Sequence, residues 1–216
     1  MNQLVSTLLA IHVASGVLAL AAAVVSCVSK WLDLPHRTHV ISGSAFVIGM
    51  SSIVITAIVL SLIRPNAFLL LTALLSTYLT FSGWRYARNR SGQSSRIDWA
   101  LVGFGLLTAL GMAAWSAMAD SNLRIVGMTF GGLLTFLVLL DLRILRGGGV
   151  RGTLRIIRHL TLMIGATIAA TTAFTVNTIR GVEPGWLLWL APTVLMVPII
   201  VVWVRKVRGG HRVAGM

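Results

Sequence analysis

Long stretches without a charge dominate this sequence, and they constrain its fold more than any single motif. A helix needs ~20 predominantly apolar residues to cross ~30 Å of hydrocarbon. Seven runs meet or approach that length, with spans expected at about 4–29, 40–63, 65–84, 99–119, 123–145, 158–179 and 185–204. The fifth reaches full length only if it continues past Asp141 and Arg143, whose side chains would then snorkel to the interface from the last turn. The expected fold is all-α, a seven-helix integral membrane bundle forming one domain over 1–204, with a basic tail over 205–216.

Basic residues support the count of seven. Between the runs, Lys30 and Arg37, then Arg85, Arg88, Arg90 and Arg96, then Arg143, Arg146, Arg151, Arg155 and Arg158, and finally Arg205, Lys206, Arg208 and Arg212 fall on one side. Only Arg64, Arg124 and Arg180 of the 18 fall on the other. Adding or removing one span would scramble this asymmetry. Positive charge accumulates in cytoplasmic loops, so the N-terminus is expected outside and the C-terminus in the cytoplasm.

The net charge of +13 would suggest nucleic acid in a soluble chain. Here the arginines are expected against anionic lipid headgroups at the cytoplasmic face, each contributing about 1 kcal/mol, and no nucleic-acid partner is expected. With only 11% charged residues the chain lacks the polar surface of a water-soluble enzyme. A lone Cys27 excludes an intrachain disulfide framework. The first run has no basic region before it and is read as a retained helix. The connections are short, and the glycines at 147–149 read as a flexible linker.

Small residues mark helix contacts. Ser15, Gly16, Ala19, Ala22, Ala23 and Ser26 form a stripe along the first span, and Gly103, Gly111, Gly127, Gly131 and Gly132 suggest contacts on the fourth and fifth. Trp31, Trp84, Trp99, Trp186, Trp189 and Trp203 sit near helix ends, as an interfacial belt would place them. Pro192 and Pro198 fall inside the last span, where they favour a kink.

Chemistry must come from the few polar residues within or beside the spans. All five carboxylates, Asp33, Asp98, Asp120, Asp141 and Glu183, fall near expected helix ends. No carboxylate sits at mid-membrane to couple an ion, and no lysine in the seventh span offers a Schiff base. Neither a zinc-protease His-Glu-x-x-His nor a nucleophile elbow is present. Of the five histidines, His211 lies in the basic tail. His12 lies ~12 Å below the outer end of the first span at 1.5 Å per residue. Its unspecialised reading is a neutral ring bonded to a threonine at similar depth, such as Thr171, Thr172 or Thr193.

His36 and His39 open the second span and His159 the sixth, at the same side of the bundle. Three imidazoles from two helix starts can converge at one depth, with Asp33 or Asp98 orienting them; the plain alternative is ordinary interfacial histidines. The segments His12 to Gly16 and His39 to Gly43 echo one another, each placing a glycine one turn after the histidine and leaving a notch for a flat group or a backbone. Such notches resemble the haem-contacting helices of membrane cytochromes b, in which paired histidines hold the iron. The candidate haem b pair is His39 and His159, with His36 as the substitute and Met163 lining the pocket. The same three histidines offer a transition-metal site instead. His12 has no histidine partner, so a two-haem wire across the membrane is not supported. The expected function is a redox role in electron transfer.

The competing class is a non-catalytic accessory protein, acting as a homo-oligomer or within a membrane complex, or a carrier or channel for a small neutral or lipid-like molecule. Its path would be lined by His12, Gly16, Gly43, Thr171, Thr175 and Asn177. An enzyme gripping a lipid phosphate with the inner arginines is a third reading, although topology alone accounts for those arginines.

The His12–Gly16 segment, His36-Arg37, Tyr78–Arg85, Thr171–Asn177, His159 and Trp189–Thr193 together resemble a family of predicted bacterial multi-pass membrane proteins of unknown function. The resemblance spans most of the chain. It implies a bacterial inner-membrane protein and brings no activity or catalytic residue with it.

Overall fold

The computed structural model describes residues 3–119 and 123–213, with side chains through residue 209. Asp120 and the side chain of His211 lie outside the described residues, as does the end of the expected tail.

Seven helices account for nearly all of it. They are α1 (Gln3–Trp31), α2 (His36–Ile63), α3 (Ala67–Arg88), α4 (Arg96–Met118), α5 (Leu123–Arg146), α6 (Gly152–Thr178) and α7 (Trp186–Val213). All seven are long and apolar enough to span a membrane. Short connections make successive helices antiparallel neighbours. The ends of α1, α3, α5 and α7 therefore gather with the starts of α2, α4 and α6 at one end of the bundle, the basic end.

Polar residues fix several boundaries beyond the apolar runs. The α3 helix starts at an Asn66 side chain that accepts the Leu69 amide, and α4 starts in a capping box between Ser95 and Asp98. The C-terminal turns of α3 extend to Arg88, four residues past the expected end, because Arg85 folds against Asp98 at 2.8 Å. The α6 helix begins at Gly152, six residues before the expected start. Its first turns carry Arg155, whose guanidinium donates to the Tyr86 and Ala87 carbonyls at 2.8 and 3.0 Å and so caps α3. The basic stretch after 204 continues α7 as helix through Val213.

The helix pair α3–α6 forms the middle of the bundle. The α1–α2 hairpin packs on one side of it and the α4–α5 hairpin on the other, with α7 against α6. The small-residue stripe of α1 seats α2, with Ala19, Ala22 and Ala23 buried. A Cβ on Gly49 of α2 would lie 3.1 Å from Ala19 and from the Ser15 carbonyl oxygen. On α4 and α5, Gly111, Gly127 and Gly131 make close contacts, whereas Gly103 and Gly132 face open space. At Gly105 a Cβ would meet the Tyr78 ring and Val138 at 2.7 Å.

The glycine segment at 147–149 is pinned and does not form a free linker. Val150 N donates to Gly92 O at 2.8 Å, tying the α5–α6 loop to the α3–α4 loop. Gly149 has φ +112 and would place a Cβ 1.9 Å from Gly92 O, so only glycine fits there. Trp31, Trp84 and Trp99 are exposed near the basic end. Trp189 instead packs edge-on against Phe68, with ring centres 5.0 Å apart.

Candidate functional site

Two polar clusters flank the α3–α6 pair near the basic end. The first joins three histidines. The His39 and His159 rings stand 6.4 Å apart, centre to centre, at 87°. His36 lies 6.4 Å from His39 on its other side, nearly parallel to it and exposed at the first turn of α2. His39 and His159 are both partly buried.

Each of these two rings is held through Nδ1. His39 reaches Ser26 of α1, at 3.1 Å from its carbonyl oxygen and 3.0 Å from Oγ. His159 reaches the Gly83 carbonyl of α3 at 2.9 Å. A carbonyl oxygen only accepts, so Nδ1 carries the proton in both rings and Nε2 keeps its lone pair. Histidines that ligate metals have this arrangement, their second nitrogen donating to a carbonyl or carboxylate. Gly83 is what brings α3 close enough to α6 for the bond, since a Cβ there would lie 2.9 Å from Met163 Sδ. Met163 is thus set against Gly83, one turn beyond His159.

The spacing can be compared with what an ion demands. At ~2.0–2.1 Å from metal to nitrogen, two imidazoles on opposite sides of one ion have centres ~6.3 Å apart, and tetrahedral neighbours ~5.2 Å. The observed 6.4 Å lies within the reach of two ligands of one ion, and His36 stands at the same distance from His39. Among the described residues, no three His, Cys, Asp or Glu side chains converge closely enough to hold an ion together. His36 adjoins His39 without completing a three-ligand group, and Asp98, one of the two expected orienting groups, is bonded to Arg85 and Ser95 instead.

The second cluster was not anticipated from the sequence as a unit. Asp141, expected to snorkel, is buried at 3% exposure, and Arg158 at 4%. Arg158 Nη2 lies 2.7 Å and Nε 2.8 Å from Asp141 Oδ1. The Tyr86 hydroxyl donates to the same oxygen at 2.8 Å, the Tyr78 hydroxyl donates to Oδ2, and Arg158 also donates to the Leu137 carbonyl. A carboxylate and a guanidinium are tolerated at this depth because each satisfies the other and a tyrosine donates to each carboxylate oxygen. Arg158 is thus an internal partner, as are Arg85 and Arg155, and none of the three is free to face lipid headgroups.

His12 does bond a threonine, but on the adjacent helix. Its Nδ1 lies 2.9 Å from Thr56 Oγ1, whose own hydrogen goes to the Ser52 carbonyl at 2.7 Å, so the imidazole donates. Ser15 and Ser52 bond one turn further along the same seam. The echo between the two spans has a structural counterpart, since His12 of α1 reaches a hydroxyl of α2 and His39 of α2 reaches one of α1. The notches differ. A Cβ on Gly43 would contact Ser26 Oγ at 3.8 Å, while Gly16 has open space beside it.

Two of the other expected lining residues bond within their own helix. Thr175 Oγ1 donates to the Thr171 carbonyl, and the Asn177 amide donates to the Ala173 carbonyl from an exposed position. These are intrahelical bonds one turn back, the common state of such side chains in a helix.

Comparison of the chain with protein-family models, curated proteins and solved structures finds no match.

Proposed function

We propose that this protein is a multi-pass redox protein of the bacterial inner membrane that binds one haem b between His39 and His159. The observation that carries the proposal is the pair of rings with centres 6.4 Å apart, each fixed by a carbonyl on Nδ1 with Nε2 left for a ligand bond. Helices α2 and α6, which carry the pair, are not packed along their lengths. When bound, haem supplies a one-electron iron couple.

The chain's own residues then have defined tasks. Ser26 and Gly83 fix the tautomer and tilt of the two ligands, raising their basicity. Met163 and Gly43 line the contact faces next to them. Lys30 lies one turn beyond Ser26 and would supply a cation for an acidic group of the cofactor.

The orientation proposed has the N-terminus outside and the basic end in the cytoplasm, on the asymmetry of 15 basic residues against three. The remaining basic side chains meet anionic headgroups there, and one cofactor at this depth exchanges electrons with a cytoplasmic donor or a membrane quinone. His39→Ala and His159→Ala should each abolish cofactor binding while His12→Ala leaves it intact. Retention of cofactor in both of the first two variants would refute the assignment. Binding of a lone transition metal with no porphyrin spectrum would replace haem with an ion at the same pair.

A further inference from the structure

Beside the ion-pair cluster, a cleft enters the bundle from the basic end between α3, α4 and α5. Its mouth is formed by the pinned loops at Asn89 and Gln93, its neck by Arg85, Tyr86 and Asp98, and its floor by Ser82, Val102 and Asp141. The two parts share Arg85, Tyr86, Asp98 and Leu145, so they adjoin one another.

Ser82 supplies the independent observation. It is 5% exposed, and its Oγ has no protein hydrogen-bond partner. Elsewhere on α3, Ser76 and Thr77 return their hydroxyls to carbonyls one turn back. Four buried hydroxyls among the described residues lack a partner, and Ser82 is the one that lines this cleft. A buried hydroxyl left unpaired costs ~1–3 kcal/mol, which a water in a polar pocket removes. The Asp141 carboxylate at the same floor offers further acceptor sites.

We propose that this cleft is a hydrated inlet, in which water held by Ser82 and Asp141 connects the buried Asp141–Tyr86 cluster with the aqueous phase at the basic end. The Asp98–Arg85 pair frames the entry without closing it, since both groups are partly exposed. The inlet gives the tyrosine hydroxyls and carboxylate a path for exchanging protons with bulk water. It does not depend on the cofactor, so it stands or falls separately from the histidine site.

The test uses the full-length protein with Cys27→Ser as background. Val102→Cys places a near-isosteric thiol at the floor of the cleft. Val138→Cys places one at a site that is fully buried but does not line it. Silver ion, a probe small enough to follow water, is added to the folded protein in detergent, and unreacted thiol is counted after denaturation. The inlet predicts at least tenfold faster loss of the thiol at 102 than at 138. Ser82→Leu added to the Val102→Cys protein should plug the floor and slow that reaction at least tenfold, with both proteins melting at the same temperature as the background. Equal rates at 102 and 138, or a rate at 102 that Ser82→Leu leaves unchanged, would overturn the proposal. If Ser82→Leu unfolds the protein, Ser82→Val serves as the plug and the comparison of 102 with 138 stands on its own.

Discussion

Arg158 and His159 are consecutive in α6 yet face opposite halves of the bundle. Arg158 turns to Asp141 of α5 at 2.7 Å, and His159 turns to the Gly83 carbonyl of α3 at 2.9 Å. Neighbouring helical positions are separated by ~100° of rotation, so one turn of α6 can serve two clusters at one depth. The ion pair fixes the rotation and height of α6 beside α5, and thereby the height at which His159 is presented to His39.

Asp141→Ala should destabilise the protein by about 3–5 kcal/mol, because it strands a buried guanidinium. Arg158→Met should cost a similar amount for the converse reason. The double variant Asp141→Leu/Arg158→Met should recover most of the loss, since no uncompensated charge is left. Denaturant unfolding of the four proteins in detergent measures the cycle; equal and additive losses would show that the two side chains do not act as a pair.

Gly105→Ala introduces a Cβ 2.7 Å from both the Tyr78 ring and Val138, two fully buried side chains. Overpacking of this kind costs typically ~1–3 kcal/mol. Gly132→Ala, where nothing lies within 4 Å, should be neutral or slightly stabilising through helix propensity. The same denaturant unfolding assay compares the two, and equal effects would contradict the packing described around Tyr78.

Thr56→Val removes the acceptor of His12 and leaves a partly buried N–H unpaired, at a cost of ~1–3 kcal/mol. The paired change His12→Leu/Thr56→Val should restore stability without altering any bound chromophore. A chromophore lost from the double variant would make His12 part of the cofactor site and contradict its assignment to the α1–α2 seam.

The orientation has its own test. A fluorescent protein fused after residue 216 should fold and fluoresce in bacterial cells, while alkaline phosphatase fused at the same point should be inactive. The reverse pattern would place the basic end outside.

Much of this architecture can be read in the sequence because apolar length is a local property. Each of the seven runs marks its own helix, and the basic residues fix their alternation. Boundaries extend past the apolar runs at Arg88 and Gly152 because polar termini are stabilised by partners on other helices, which a local reading omits. The nearness of His39 and His159 follows from their positions toward the same end of α2 and α6, His159 lying two turns past the start of α6. Asp141 and Arg158 escape such a reading for a physical reason. A charge near the end of a run is consistent with snorkelling to the interface and with burial against a counter-charge, and only the packing of α5, α3 and α6 around one another decides between them. A signal did exist, since Tyr78, Tyr86 and Arg158 each place a hydrogen-bond donor at the depth of Asp141 on the facing helices.

The most direct test of the central claim is the absorption spectrum of the purified protein from haem-replete cells, recorded oxidised and dithionite-reduced, with metal analysis of the same sample. Ligation by His39 and His159 predicts a Soret band, a sharp α band on reduction and one iron per chain. A colourless, metal-free sample would contradict it, and would leave the Ser26 and Gly83 bonds as the whole role of these two histidines.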